Sequence, residues 1–190
     1  FAGYVSFKIN AKKGQKITLR FGEMLDDKGE LTLKNIQCKN KKITTPLQTI
    51  EYTCKDGVNE YKPNFAIFGF TYMELDTEID VSADDFTAIA VYSDMEETGF
   101  FESSNELLNK FVTATKWSTK SNSTDLPTDC PTRERHGWTG DAQIFFNTAA
   151  YLFNYATFSE IFVMYLIGNK RMANCLKSFH TAVLISICPG

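Results

Sequence analysis

The sequence predicts two successive architectures, an antiparallel β-sandwich and then the first helices of a helical domain. Three observations predict this: alternating apolar residues in the first half, helical apolar spacing in the second, and a change of pattern near Asp94. Residues 4–9 alternate ahead of the turn-like Lys12-Lys13-Gly14. Residues 16–21 alternate again, with Ile17, Leu19 and Phe21 on one face and Lys16, Thr18 and Arg20 on the other. Asp26-Asp27-Lys28-Gly29 reads as a turn. Residues 49–54, 65–75 and 86–92 add β-branched and aromatic runs, broken at Asp56-Gly57 and Lys62-Pro63-Asn64. Short strands punctuated in this way suit a sandwich.

Ser103-Ser104-Asn105-Glu106 reads as a helix entry, with capping side chains ahead of an acidic residue. Leu107, Leu108, Phe111, Val112, Thr115 and Ser118 then recur at helical spacing. A loop over 121–132 leads to a second helix expected from about Asp141, with Ile144, Phe145, Thr148, Ala149 and Leu152 on one face. A third helix is expected over 158–166.

The 190 residues are 43% hydrophobic and 23% charged, a globular balance that argues against disorder and against a membrane span. With a net charge of -3, nothing favours a nucleic-acid partner. Sixteen Phe and eight Tyr fit large core residues of a β fold; sugar-stacking platforms are the other reading. Cys38, Cys54, Cys130, Cys175 and Cys188 are widely spaced, with no CxxC or Cys/His ligand pattern, so no metal is expected and reduced thiols are the default. The chain opens at Phe1 inside an expected strand, so we expect an N-terminal truncation, and the compartment is not fixed.

The unusual stretch is 127–141, Pro-Thr-Asp-Cys-Pro-Thr-Arg-Glu-Arg-His-Gly-Trp-Thr-Gly-Asp. It gathers Asp129, Glu134 and Asp141, two arginines, His136 and Trp138 between helices, with two prolines and two glycines shaping the backbone. Carboxylates and guanidinium groups grip sugar hydroxyls through charge-assisted hydrogen bonds, and an indole stacks on a sugar's apolar face. A glutamate beside Arg and Asp has its proton affinity tuned by both, in a net direction the sequence leaves open. The structural alternative is an ion-paired loop capping two helices, with Asp141 as the N-cap of the second.

This segment resembles the signature of glycoside hydrolase family 78, the bacterial α-L-rhamnosidases. Asp129, Cys130, Pro131, Arg133, Glu134, Arg135 and residues 137–141 match its DCP-x-R-E-R-x-GWTGD pattern. Asp94-Met95-Glu96-Glu97-Thr98-Gly99, residues 104–109 and residues 142–145 match alongside. Ala2-Gly3-Tyr4, Phe21-Gly22-Glu23 and Phe68-Gly69-Phe70-Thr71-Tyr72 resemble the preceding β domain, although Thr71 stands where the family often has Arg. The likeness covers roughly residues 1–165. It implies a β-sandwich domain over 1–95 and the start of an (α/α)6 barrel over 96–165.

The resemblance further implies inverting hydrolysis of terminal α-L-rhamnose from glycosides or polysaccharides, without cofactor or metal. Glu134 matches the general acid, while Asp129, Arg133 and Asp141 match residues that hold rhamnose hydroxyls. Trp138 matches an aromatic near the sugar, and His136 sits at a variable position and is expected to be a spectator. Inversion needs a second carboxylate roughly 6.5–9.5 Å from the acid, with water between them. That general base is expected later in the barrel, beyond this chain, so the chain alone is expected to be inactive.

From about Leu166 the motif resemblance stops. Read in a shifted frame with codons chosen freely, residues 166–189 yield Gln, Asn-Gly, Leu-Pro and Tyr-Gly-Gly in the order of the family's next segment. A frameshifted, non-native tail over 166–190 is therefore expected. Its apolar run at 182–187 would be aggregation-prone, and Cys175, His180 and Cys188 would need no functional role. The main rival to the enzyme is a non-catalytic carbohydrate-binding β-sandwich with a helical appendage. Another (α/α)6 exo-glycosidase and a purely structural motif are the remaining readings.

Overall fold

A computed structural model describes residues 1–39, 44–45, 47–171 and 184–186. Cys175, His180 and Cys188 lie outside these residues, as does part of the run at 182–187. The chain packs as two compact units. The first takes in Phe1–Val91 and Cys130–Arg135; the second takes in Tyr92–Asp129 and continues from His136.

The first unit begins with strands β1 (Ala2–Ala11) and β2 (Lys16–Gly22). Short pieces follow: β3 (Met24–Leu25), β4 (Leu31–Thr32), β5 (Cys38–Lys39) and β6 (Thr44–Thr45). Next come β7 (Thr49–Thr53), β8 (Gly57–Tyr61), β9 (Phe68–Gly69), β10 (Tyr72–Thr77) and β11 (Phe86–Tyr92). Leu184–Ser186 forms β12. One sheet runs β12-β11-β1-β8, with β9 also on β1, and a second runs β10-β2-β7. The β1 pairings with β8, β9 and β11 and the β2 pairings with β7 and β10 are antiparallel.

Alternation puts Val5, Phe7 and Ile9 of β1 and Ile17, Leu19 and Phe21 of β2 into a shared core, where the β2 trio is fully buried. Most of the aromatic content of the β half goes here. Phe21 stacks on Phe68 at 4.5 Å, and Phe7 meets Tyr52 edge-on at 5.2 Å. The expected strand over 65–75 is in fact split into β9 and β10, and Phe65 is almost fully exposed. β8 lies between the two expected breaks, where no strand was expected. Its buried residue is Asn59, whose amide donates to the Lys55 and Gly57 carbonyls while its oxygen accepts from the Lys55 N–H and the Tyr52 hydroxyl.

The second unit holds α1 (Glu106–Ser121), α2 (Thr139–Leu152) and α3 (Ala156–Arg171). Asn105 caps α1, its side chain accepting from the Leu107 and Leu108 N–H groups. α2 starts two residues earlier than expected: Trp138 occupies the N-cap position, and Asp141 lies in the first turn rather than capping it. α3 continues past Leu166 to Arg171. Met95, Ala149, Phe153, Tyr155 and Phe158 form the core of this unit. Glu97 accepts from Lys116 at 3.0 Å and Lys120 at 2.7 Å, tying the segment that precedes α1 to that helix. The division falls at 91/92 because Met95, Glu97 and the Thr98 and Gly99 amides, both bonded to the Leu152 carbonyl, all pack with the helices. Leu107 and Phe111, which recur at helical spacing in α1, are exposed, as is Ile144 on α2.

Candidate functional site

The signature segment grows out of a tight neck. Ser123 and Pro127 form an isolated bridge, and the Thr128 N–H donates to the Asn122 carbonyl at 2.9 Å. The Asp129 N–H donates to the His136 carbonyl at 3.1 Å, and the His136 N–H returns to Asp129 Oδ1 at 3.0 Å. This reciprocal pair closes the neck, and the residues between its two members, Cys130–Arg135, belong to the first unit. The His136 backbone is thus a structural partner of Asp129, and its ring lies edge-on to Trp138 at 5.7 Å. Trp138 is half exposed at the mouth of α2.

Asp129 and Asp141 line one hollow of about 270 Å³ in the second unit. Its floor mixes Phe145 and Tyr155 with the polar groups of Ser118, Asn122 and Thr128. Two carboxylates over an apolar floor suit a ligand that carries hydroxyls on one side and carbon on the other. Asp141 gains further from the first turn of α2, where the helix dipole favours negative charge. Burial pushes the Tyr155 phenol up to about 12, opposed by its hydrogen bond with Ser123 at 2.9 Å.

Within Cys130–Arg135, the Arg133 guanidinium holds Glu134 Oε1 at 2.6 Å, and the Glu134 side chain is 30% exposed. The Glu134 N–H points to Cys130 Sγ at 3.3 Å. Arg135 has an exposed stem, but its guanidinium ends on protein oxygens: the Thr132 carbonyl at 3.2 Å, the Ile67 carbonyl at 3.0 Å and Gln48 Oε1 at 2.7 Å. Desolvation of that tip draws its pKa down, with the Cys130 thiol opposing; the group stays cationic. The sequence-predicted residues therefore come together as two pairs, Asp129 with Asp141 in the second unit and Arg133 with Glu134 in the first.

Gln48 was not singled out from the sequence. It is one amide in a run of unremarkable residues, and no local pattern signals that it is buried. The role of Gly69 as a close-approach point was also unseen. A Cβ there would lie 2.5 Å from Thr132 Cγ2 and 2.8 Å from the Pro131 carbonyl carbon. Among the described residues, no group of three His, Cys, Asp or Glu side chains is placed to hold a metal ion. No helix of the described residues is long and apolar enough to cross a membrane.

Residues 1–92 match the family model of the bacterial α-L-rhamnosidase concanavalin-like domain, and residues 96–179 match that of the bacterial α-L-rhamnosidase six-hairpin glycosidase domain. An α-L-rhamnosidase of Formosa agariphila is 36% identical over 162 residues, which cover 80% of this chain and 17% of the relative. One from an Alteromonas species is 35% identical over 156 residues, covering 79% of this chain and 16% of the relative. The Streptomyces avermitilis α-L-rhamnosidase, solved in complex with L-rhamnose, superposes with a TM-score of 0.79 at 29% identity, over 93% of this chain and 16% of that one. The Dictyoglomus thermophilum enzyme gives 0.76 at 32% identity, over 84% of this chain and 18% of that one. The chain thus spans less than a fifth of the length of each of these relatives. Two family models in series, the sandwich followed by helices, and the intact signature segment lead to one assignment: the chain belongs to the bacterial α-L-rhamnosidase family.

Proposed function

We propose that this chain carries the acid and sugar-gripping part of an α-L-rhamnosidase that removes terminal α-L-rhamnose from glycosides with inversion. The observation that carries the reading is the paired placement of its charged residues. Asp129 and Asp141 share a hollow near the lower end of ligand-pocket sizes, roughly 300 Å³, while Glu134 sits on a short turn beside Arg133. In this reading Glu134 protonates the leaving glycosidic oxygen. Asp129 already accepts the His136 N–H through Oδ1, so its other oxygen and the Asp141 carboxylate take rhamnose hydroxyls. Trp138 offers its half-exposed indole to the sugar's apolar face. Arg133 turns from Glu134 to the substrate as the proton is delivered, and fixed carboxylates steady the charge developing on the ring. Water attacks from the opposite face under a general base contributed by barrel helices outside this chain. The substrate is a rhamnose-capped glycoside or polysaccharide, and the reaction needs no cofactor.

The aromatic wealth of the β half gives the rival carbohydrate-binding reading little support, because Phe7, Phe21, Phe68 and Phe70 are buried in the core. The decisive experiment joins residues 1–165 to the remaining barrel of the Formosa agariphila relative and makes Glu134→Gln. Turnover of an aryl α-L-rhamnoside is expected to fall by about 10²–10⁴-fold while L-rhamnose binding is retained. Unchanged turnover refutes the acid role. If that hybrid does not fold, the same change at the relative's aligned residue carries the test. The 190-residue chain alone is expected to show no turnover of the same substrate.

A further inference from the structure

Among the described residues, two non-glycine residues adopt a left-handed backbone, Gln48 at φ 46° and Arg135 at φ 54°. They lie far apart in sequence, yet they are the two partners of a single 2.7 Å hydrogen bond. A left-handed backbone is unfavourable for residues with a Cβ and is retained where the surrounding contacts over-determine it, which happens most often at functional sites. We propose that Gln48 and Arg135 form a latch that positions Glu134, fixing the turn that carries it to carbonyl groups of the β-sandwich. The proposal rests on the reading of Glu134 as the acid.

The latch is saturated on the sandwich side. Gln48 is almost fully buried and donates both amide protons, to the Phe21 carbonyl at 3.0 Å and the Gly69 carbonyl at 2.9 Å. Its oxygen is left to accept from Arg135 Nη2. Arg135 then spends its other donors on the Ile67 and Thr132 carbonyls. The Thr132 bond closes the turn around Glu134 from one end, and the contact of the Glu134 N–H with Cys130 Sγ closes it from the other. Gly69 lets the Pro131-Thr132 backbone approach where any larger residue would push it away. A planar fork with fixed donor directions is needed at position 135. A lysine would reach one oxygen and leave the others unserved.

The test uses the 190-residue chain with 13C-labelled glutamate, in Gln48→Ala and Arg135→Lys variants. Amide exchange along the chain and the pH titration of the Glu134 carboxyl carbon are both read. The latch predicts that exchange at Glu134 rises roughly tenfold or more while β1 and β2 amides keep their protection. It also predicts that the Glu134 titration midpoint changes in both variants. Unchanged exchange and titration at Glu134 in folded variants overturn it. A uniform rise across β1 and β2 also overturns it, since that marks a merely structural role. If Gln48→Ala does not fold, Arg135→Lys, which keeps the positive charge, carries the test alone. Failure of the acid reading appears separately, as a Glu134→Gln hybrid that still turns over rhamnoside.

Discussion

Ser123 and Tyr155 bury their hydroxyls against each other at 2.9 Å beneath the hollow that Asp129 and Asp141 line. Tyr155→Phe leaves the Ser123 hydroxyl without that partner and is expected to cost about 1–3 kcal/mol in denaturant titrations at pH 7. Because burial raises the phenol's pKa in the folded chain to about 12, above the ordinary tyrosine value of about 10, its contribution is complete below the unfolded value. It is lost as pH rises through the folded value. The Phe variant should therefore show a shallower fall of stability between those limits. Glu97 behaves in the opposite sense. Its hydrogen bond with Lys120, helped by Lys116 against a desolvation cost, lowers its pKa. The pair's contribution is present above the unfolded glutamate value, about 4.3, and disappears as pH falls through the lower folded value. Glu97→Gln should cost about 1 kcal/mol at pH 7, discounted for partial exposure, and the gap in Tm from the parent should close in acid. At this scale the sequence was legible wherever chemistry clusters in one run, as at 129–141. It was mute at Gln48, whose role depends on partners at 21, 69 and 135 that only folding assembles.

Among the elements, β1 and β2 could be read directly because Val5, Phe7 and Ile9, and then Ile17, Leu19 and Phe21, recur at a period of two and are all buried, although Tyr4 on the other face of β1 is buried too. β8 escaped because its buried residue is an asparagine satisfied by local carbonyls, an inversion of the usual pattern that hydrophobicity does not register. The start of α2 was misplaced because Asp141 has the chemistry of a cap, yet Trp138 takes the N-cap position without a side-chain capping bond and Asp141 serves the first turn. Apolar periodicity in α1 was seen correctly, but Leu107 and Phe111 remain exposed, so periodicity marked a face meant to be covered rather than one covered here. Gly99 is the tightest joint between elements: a Cβ there would fall 1.9 Å from the Tyr151 carbonyl oxygen. Because that obstacle is backbone, which cannot rotate aside, Gly99→Ala is expected to destabilise the helical unit by about 1–3 kcal/mol. Thermal unfolding followed at the helical far-UV signal checks this.

For the whole chain, apolar side chains stand exposed on all three helices, including Leu107, Ile144 and Met164. Exposed apolar residues in such number favour association. Sedimentation of the 190-residue chain is therefore expected to depend on concentration, and Leu107→Lys together with Phe111→Lys should weaken that dependence without lowering helical content. Packing assigns Cys130–Arg135 to the unit that begins the chain, although the sequence places those residues between helices of the other unit. One consequence is genealogical. A recombination at the 91/92 seam would hand the offspring Glu134 and Arg135 from one parent and their partners Gln48 and Ile67 from the other. Such hybrids would be mismatched at the Arg135 bonds even if each half were sound, so selection would keep the two stretches together as a single heritable block.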